Sequence, residues 1–330
     1  MSRRRTKSII LDTDIGSDVD DALALALVLS APEALELVAV TTVGRRAELR
    51  ARVAAGLLGL AGRADVEVCS GETRPVLRAP DRFNWFDHEE RCIVPGPGAR
   101  LSSERAPERI VRAARETQGL EVVLVGPLTN MARALALDPE LPQRVGGITV
   151  MGGHVREVRI GGFVCAPGID YNLCSDPEAS LAVLGAGFRT TLVTADVTLS
   201  TWLRSADLER LEAAGPLGSA LAEQVRIWAP VQRKIFTGLG GNVEADNVAF
   251  LHDPLTVQSL LDASCLGFEK LRIVPTLESG VLRTLEAAPS LGIGSEMRVA
   301  TRVDAAAAEG AIVERLHAFA FGDVGERSPT

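Results

Sequence analysis

Apolar and polar positions mark a regular succession of segments along this chain. A continuous apolar run at 9–11 reads as a buried strand, and the Ala/Leu alternation at 22–27 reads as the opening of a helix. The same patterning predicts strands at 37–42, 66–69, 121–125, 147–151 and 189–194. It predicts helices at 48–60, 107–117, 130–137, 177–184 and 254–261. Two more helices are expected between residues 202 and 236, broken at Gly238-Leu239-Gly240-Gly241. Residues 268–302 suggest shorter antiparallel strands, and 304–320 an Ala-rich closing helix. The stretch 71–100 and the one following Met151, to about residue 171, are rich in turn formers and read as loops, which at such length usually serve function. Strand–helix alternation predicts an α/β fold: a mainly parallel central sheet, helices on both faces, and a small antiparallel addition near the C-terminus. Sites in such folds lie outside the carboxyl ends of the strands. No repeat or linker divides the chain, so one domain over 1–330 is expected, with a disordered basic tail at 1–7.

Composition narrows the function classes. The chain has 330 residues, 46% of them apolar, enough for a large core. A net charge of −8 leaves no general footprint for nucleic acid. The basic cluster Arg3-Arg4-Arg5-Lys7 is followed by no apolar leader, and no long apolar run occurs, so a cytoplasmic protein without membrane contact is expected. Five scattered cysteines without a Cys-x-x-Cys pair argue for reduced thiols and against a zinc site.

Chemistry concentrates behind the first strand. Asp12 and Asp14 close it, Gly16 permits a turn, and Asp18, Asp20 and Asp21 precede the helix. One or two of these acids could merely cap that helix. Five so close repel one another, and a hard cation with oxygen ligands, Ca²⁺ or Mg²⁺, relieves that repulsion best. An EF-hand is excluded, because counting from Asp12 its required Gly and Glu fall on Ser17 and Leu23. Further on stand Val125-Gly126-Pro127-Leu128-Thr129-Asn130, then Met151-Gly152-Gly153, Asp170-Tyr171-Asn172, Asp176-Pro177-Glu178-Ala179 and His252-Asp253-Pro254. Asp176 is a candidate helix cap followed by proline at the first helical position.

In order and spacing these motifs resemble the inosine–uridine-preferring nucleoside hydrolases from about residue 8 to 261. The resemblance implies calcium-dependent hydrolysis of the N-glycosidic bond of a ribonucleoside, in purine or pyrimidine salvage, by a homodimer or homotetramer. It implies metal ligands at Asp14, Asp21, Asp253 and the Val125 carbonyl. Asp20, Asn172 and Asp253 then grip the ribose 2′ and 3′ hydroxyls and Asp170 the 5′ hydroxyl. Asp14 is the candidate general base, His252 the candidate general acid for the leaving base, and Asp12 a support for a loop or for Asn130. His88 matches a substrate-facing histidine of the family, and Trp85, Phe86, Trp228 and Phe236 lie where relatives stack on the base. Three positions depart from the pattern: Val164 replaces a ribose-binding asparagine, Asp170 a longer glutamate, and Arg45-Arg46 follow the second strand where an acid or amide is usual. Asp18 belongs to a two-residue insertion with no family role. Two other readings are weighed. One is a Mg²⁺-dependent phosphohydrolase of haloacid dehalogenase type, whose second aspartate wants Thr or Val after it where this chain has Ile15. The other is a nucleoside- or ribose-binding protein without turnover.

Overall fold

The computed structural model describes residues 6–77, 88–160, 163–165, 167–168 and 170–321. Thirteen strands are described: β1 (Lys7–Thr13), β2 (Leu35–Thr42), β3 (Glu67–Ser70), β4 (Glu121–Leu124), β5 (Gly147–Met151), β6 (Val158–Ile160), β7 (Phe163–Cys165), β8 (Thr190–Val193), β9 (Trp202–Arg204), β10 (Asn247–Phe250), β11 (Leu266–Glu278), β12 (Val281–Ala287) and β13 (Ser295–Val303). The α-helices among the described residues are α1 (Asp20–Leu29), α2 (Ala47–Leu60), α3 (Ala106–Glu116), α4 (Thr129–Leu137), α5 (Leu141–Arg144), α6 (Tyr171–Ser175), α7 (Pro177–Gly185), α8 (Ala195–Thr198), α9 (Ser205–Glu212), α10 (Pro216–Gly238), α11 (His252–Leu261) and α12 (Ala305–Phe321).

Nine strands form one sheet in the order β12-β11-β13-β8-β5-β4-β1-β2-β3. From β13 to β3 every neighbouring pair is parallel, while β11 runs antiparallel to both β12 and β13. The predicted architecture is therefore present, with its antiparallel part fused to the main sheet. Side chains alternate across a strand, and β1 shows the consequence. Ile9 and Leu11 enter one apolar core, shared with α1, α2, α10, α11 and α12, and Ile10 enters a second, shared with α3, α4 and α7. All three are fully buried, each contributing about 1.5–3 kcal/mol of transfer free energy. Helices thus cover both faces because β1 is apolar on both.

The structure departs from the pattern in four places. Lys7 already belongs to β1, and Thr6 Oγ1 donates to Glu33 O at 3.0 Å, so the expected tail does not reach residue 7; residues 1–5 lie outside the described part. The loop expected after Met151 contains the β6–β7 hairpin. The region expected to be helical from residue 202 begins as a strand, because Trp202 pairs across to Phe250 of β10. Finally, β11 runs for 13 residues, held on both sides by β12 and β13, so that Glu269 and Lys270 stay exposed within a strand. The four described cysteines whose side chains are placed, Cys69, Cys92, Cys174 and Cys265, are free and buried, as expected of reduced thiols. Among the described residues no helix is long and apolar enough to cross a membrane.

Candidate active site

Strands β1, β4, β5 and β8 are parallel neighbours, so their carboxyl ends form one rim. The end of β1 is the acidic loop. Asp12, fully buried, accepts from Thr41 Oγ1 at 2.6 Å and from Asn130 Nδ2 at 2.7 Å. Asn130 also donates to Thr42 O at 3.0 Å and accepts from Glu72 N at 2.8 Å. Asp12 and Asn130 thereby tie three strand ends together, the contact expected for Asp12. Glycine is obligatory beside this lock: a Cβ on Gly71 would meet Asn130 Oδ1 at 2.2 Å. The same holds at Gly126, where a Cβ would come within 2.9 Å of both Asp14 N and Asp14 Oδ1.

Packing of α11 against α1 brings the second half of the site in. Asp20 and Asp21 open α1, and Asp253 lies in the first turn of α11. Carboxylate oxygens of Asp20, Asp21 and Asp253 lie within 4.8 Å of one another, and all three side chains are buried. Asp21 accepts from Thr13 Oγ1, and Asp20 from Asp253 N at 3.4 Å. Asp253 Oδ1 is buried with no hydrogen-bond partner. The expected ligands were Asp14, Asp21, Asp253 and the Val125 carbonyl; Asp21 and Asp253 lie in the compact trio, and Asp20 is its third member. Asp14 stands beside the trio, close enough for its charge to raise the pKa of each member. Asp18, left without a role by its sequence, accepts from Val19 N at 2.6 Å and Asp20 N at 3.4 Å, and so shapes the chain entering α1.

Electrostatics follow from this crowding. Burial raises the pKa of Asp12 to about 7 and pushes those of Asp18, Asp20, Asp21 and Asp253 well above the carboxylate range, with repulsion between the acids adding to it. Asp14 is also raised by burial, and the Arg50 guanidinium opposes the shift. A set of buried carboxylates that cannot all ionise together, with an unpartnered oxygen among them, fits a hard divalent cation.

Sequence reasoning missed Arg50. It lies on α2, only 3% exposed, and its Nη1 donates to the carbonyl oxygens of Asp14 and, at 3.1 Å, of Ile15. Its Nε donates to Arg45 O at 2.8 Å, and its Nη2 lies 3.4 Å from buried Glu89. Of the two arginines after the second strand, Arg46, in the left-handed region at φ 62°, pairs with Glu89 at 3.6 Å and Glu90 at 3.7 Å. An arginine inside a helical polar pattern gives no sign in sequence that it faces inward.

The remaining candidates gather on the rim. Asn172 Nδ2 donates to Val125 O at 2.9 Å and to Met151 O at 3.3 Å, joining two expected site positions across the ends of β4 and β5. Asp170 caps α6, accepting from Leu173 N at 3.0 Å, and burial raises its pKa to about 6. Asp176 is the expected cap of α7, and it also accepts from Thr129 Oγ1 and Val76 N. His252 Nδ1 lies 2.7 Å from Thr198 Oγ1, and its ring packs on Phe250, which in turn packs on Phe236. Burial lowers its pKa to about 4, so near neutral pH it is a neutral hydrogen-bonding ring. His88 Nε2 lies 2.7 Å from Ser17 O in the acidic loop, and its ring faces Trp228. Trp228 is a core residue, 4% exposed, donating to Gln232 Oε1. Val164 is partly exposed on β7. Trp85 and Phe86 lie outside the described residues.

Comparison with known proteins agrees with this geometry. The family described as inosine-uridine preferring nucleoside hydrolase matches residues 9–313. The chain is 32% identical over 260 residues to the pyrimidine-specific ribonucleoside hydrolase RihA of Salmonella typhimurium, covering 77% of this chain and 79% of that one. It is 31% identical over 273 residues to an uncharacterized protein of Schizosaccharomyces pombe, covering 80% and 83%. Among solved structures, a purine-preferring ribonucleoside hydrolase from Gardnerella vaginalis superposes with a TM-score of 0.79 at 26% identity, covering 96% of this chain and 99% of the other.

Proposed function

Because this chain belongs to the inosine-uridine preferring nucleoside hydrolases, enzymes that cleave the N-glycosidic bond of ribonucleosides, we propose that it does so with Ca²⁺ bound at the acidic rim. The observation that carries the metal is the trio Asp20, Asp21 and Asp253, from two helix starts, with Asp253 Oδ1 unpartnered. In this reading Asp21 and Asp253 hold the ion, with Asp14, Asp20 and the Val125 carbonyl around it. A calcium ion there supplies a lowered pKa for a water molecule and a fixed point for ribose hydroxyls.

Asp14 takes the proton of the water that adds to C1′. Asp20, Asn172 and Asp253 hold the 2′ and 3′ hydroxyls, and Asp170 the 5′ hydroxyl. The negative field of the buried acids favours the oxocarbenium-like sugar of the transition state. His252 donates a hydrogen bond to the departing base, and His88 closes the site from the far side of the acidic loop. The base itself is left open, since RihA is pyrimidine-specific and the Gardnerella enzyme purine-preferring. A homodimer or homotetramer and a single-domain chain complete the proposal. Strands from both halves of the sequence meeting in one sheet support the second part, and light scattering tests the first.

The experiment is sugar release from uridine, cytidine, inosine, adenosine and guanosine, with calcium and with a chelator. Ribose from at least one nucleoside, lost on chelation and restored by calcium, is expected. No release from any of them in calcium refutes the activity; release indifferent to chelation refutes the metal.

A further inference from the structure

The short helix α8 takes no part in the proposed mechanism, yet it is fastened at both ends. Asp196 accepts from Val155 N at 2.9 Å and Arg156 N at 2.8 Å, which holds α8 to the loop after β5. At its other end Thr201 O accepts from Leu251 N at 3.0 Å, so the backbone entering His252 hangs from the residues that follow α8. Between these anchors sits Thr198, fully buried, with its hydroxyl 2.7 Å from His252 Nδ1.

The direction of that contact follows the ring's tautomer, and hydrogen-bond accounting argues for one of the two. A threonine hydroxyl carries one proton, and burying it without an acceptor costs about 1–3 kcal/mol. Nδ1 of His252 is the acceptor the structure gives it. The hydroxyl therefore donates, Nδ1 accepts, and the single proton of a neutral imidazole stands on Nε2. The ring is held from the other side by Phe250, 5.4 Å between centroids. His252 itself is half-buried, so the clamp does not seal the whole ring from the rim.

We propose that Thr198 is a positioning residue: by donating to Nδ1 it keeps the His252 proton on Nε2, where it meets the departing base. The inference rests on the hydrolase reading above. As the C1′–N bond breaks, its electron pair stays on the base, and the Nε2–H hydrogen bond stabilises that charge without leaving the ring. The water adding to C1′ gives a proton to Asp14, and the base takes one from solvent.

The test compares Thr198→Val, which keeps the shape and removes the hydroxyl, with Thr198→Ser, which keeps the hydroxyl. Expected is a fall in kcat on uridine or inosine of about 10- to 100-fold for Thr198→Val, the range for lost orienting partners, with KM little changed and Thr198→Ser near wild type. On p-nitrophenyl riboside, whose leaving group departs unaided, Thr198→Val stays near the wild-type rate. Nitrogen-15 spectra of the ring, assigned through His252→Gln, show Nε2–H in the wild type and a tautomer mixture in Thr198→Val. Equal losses on both kinds of substrate, or no loss on either, overturn the proposal. So does an unchanged tautomer. If the wild type cleaves no substrate at all, the hydrolase reading fails instead, and the spectra still decide the tautomer.

Discussion

Asp170 gives a prediction whose size can be worked from its surroundings. The side chain is 8% exposed and caps α6 through Leu173 N. Burial raises its pKa from 3.8 to about 6, against the backbone N–H groups and the nearby His154, which pull the other way. The folded state therefore holds the proton more tightly than the unfolded chain. Its contribution to stability is complete below the unfolded value and is lost as pH rises from about 4 to about 6. Two pKa units correspond to about 3 kcal/mol of penalty at pH 7.5 relative to pH 3. Asparagine cannot ionise, yet it accepts from Leu173 N as an equally good cap. Asp170→Asn should thus be more stable than the wild type at pH 7.5 by about 2–3 kcal/mol, with the gain shrinking towards pH 4. With an unfolding entropy near 2 cal/mol/K per residue, that is about 3–4 °C in Tm. Thermal unfolding of both proteins from pH 4.5 to 8 measures the difference, which cancels contributions common to the two. A pH-independent difference, or a less stable variant at pH 7.5, refutes the reasoning. If Asp170 holds the ribose 5′ hydroxyl, the same variant should lose kcat/KM, a stability–function trade of the usual kind.

Further outcomes are expected around the acidic rim. Calcium at about one hundred times its Kd should stabilise the protein by about 2.7 kcal/mol, seen as a higher Tm that vanishes with chelator and in Asp253→Asn. Asp14→Asn should keep the wild-type Tm but lose turnover by roughly 100-fold or more; unchanged sugar release would remove Asp14 from the chemistry. Arg50→Met should lower stability by about 3–5 kcal/mol, because buried Glu89 keeps only the more exposed Arg46 as a partner and the buried carbonyls of Asp14, Ile15 and Arg45 lose their donor. Arg50→Lys should recover little of this, since one ammonium cannot reach the carbonyls of Asp14, Ile15 and Arg45 together. Differential scanning calorimetry of the two variants decides it, and a full rescue by lysine would show that charge alone is needed there.

What the sequence disclosed and what it hid divide along a physical line. The run Ile9-Ile10-Leu11, apolar on both faces, announced a strand covered twice, and it is. Asp176 before Pro177 announced a capped helix start, and its carboxylate accepts from Ala179 N. Such features are local, and the chain within a few residues decides them. The β6–β7 hairpin escaped because strands of three residues carry no readable period. Neither Arg50 nor Thr198 could be seen, because each acts on a partner 36 or 54 positions away, through a face that only packing selects. Motif order put Asp253 with the acids of the first strand. Which of those acids it meets depends on how α11 lies against α1, and there it meets Asp20 and Asp21.

The charges around the rim do not act on all of its acids alike. Arg50 is the guanidinium hydrogen-bonded to the acidic loop, and Glu89 at 3.4 Å largely spends its charge. Its field reaches Asp14 and Asp21 and opposes the rise of their pKa values. Beside burial, the neighbouring acids raise the pKa values of Asp20 and Asp253. In the reading proposed above, a base that must give and take a proton suits Asp14, and crowded acids with an unpartnered oxygen suit a divalent cation. Asp14 belongs to a strand end anchored through its backbone by α2, whereas Asp20, Asp21 and Asp253 belong to helix starts that converge from opposite halves of the chain.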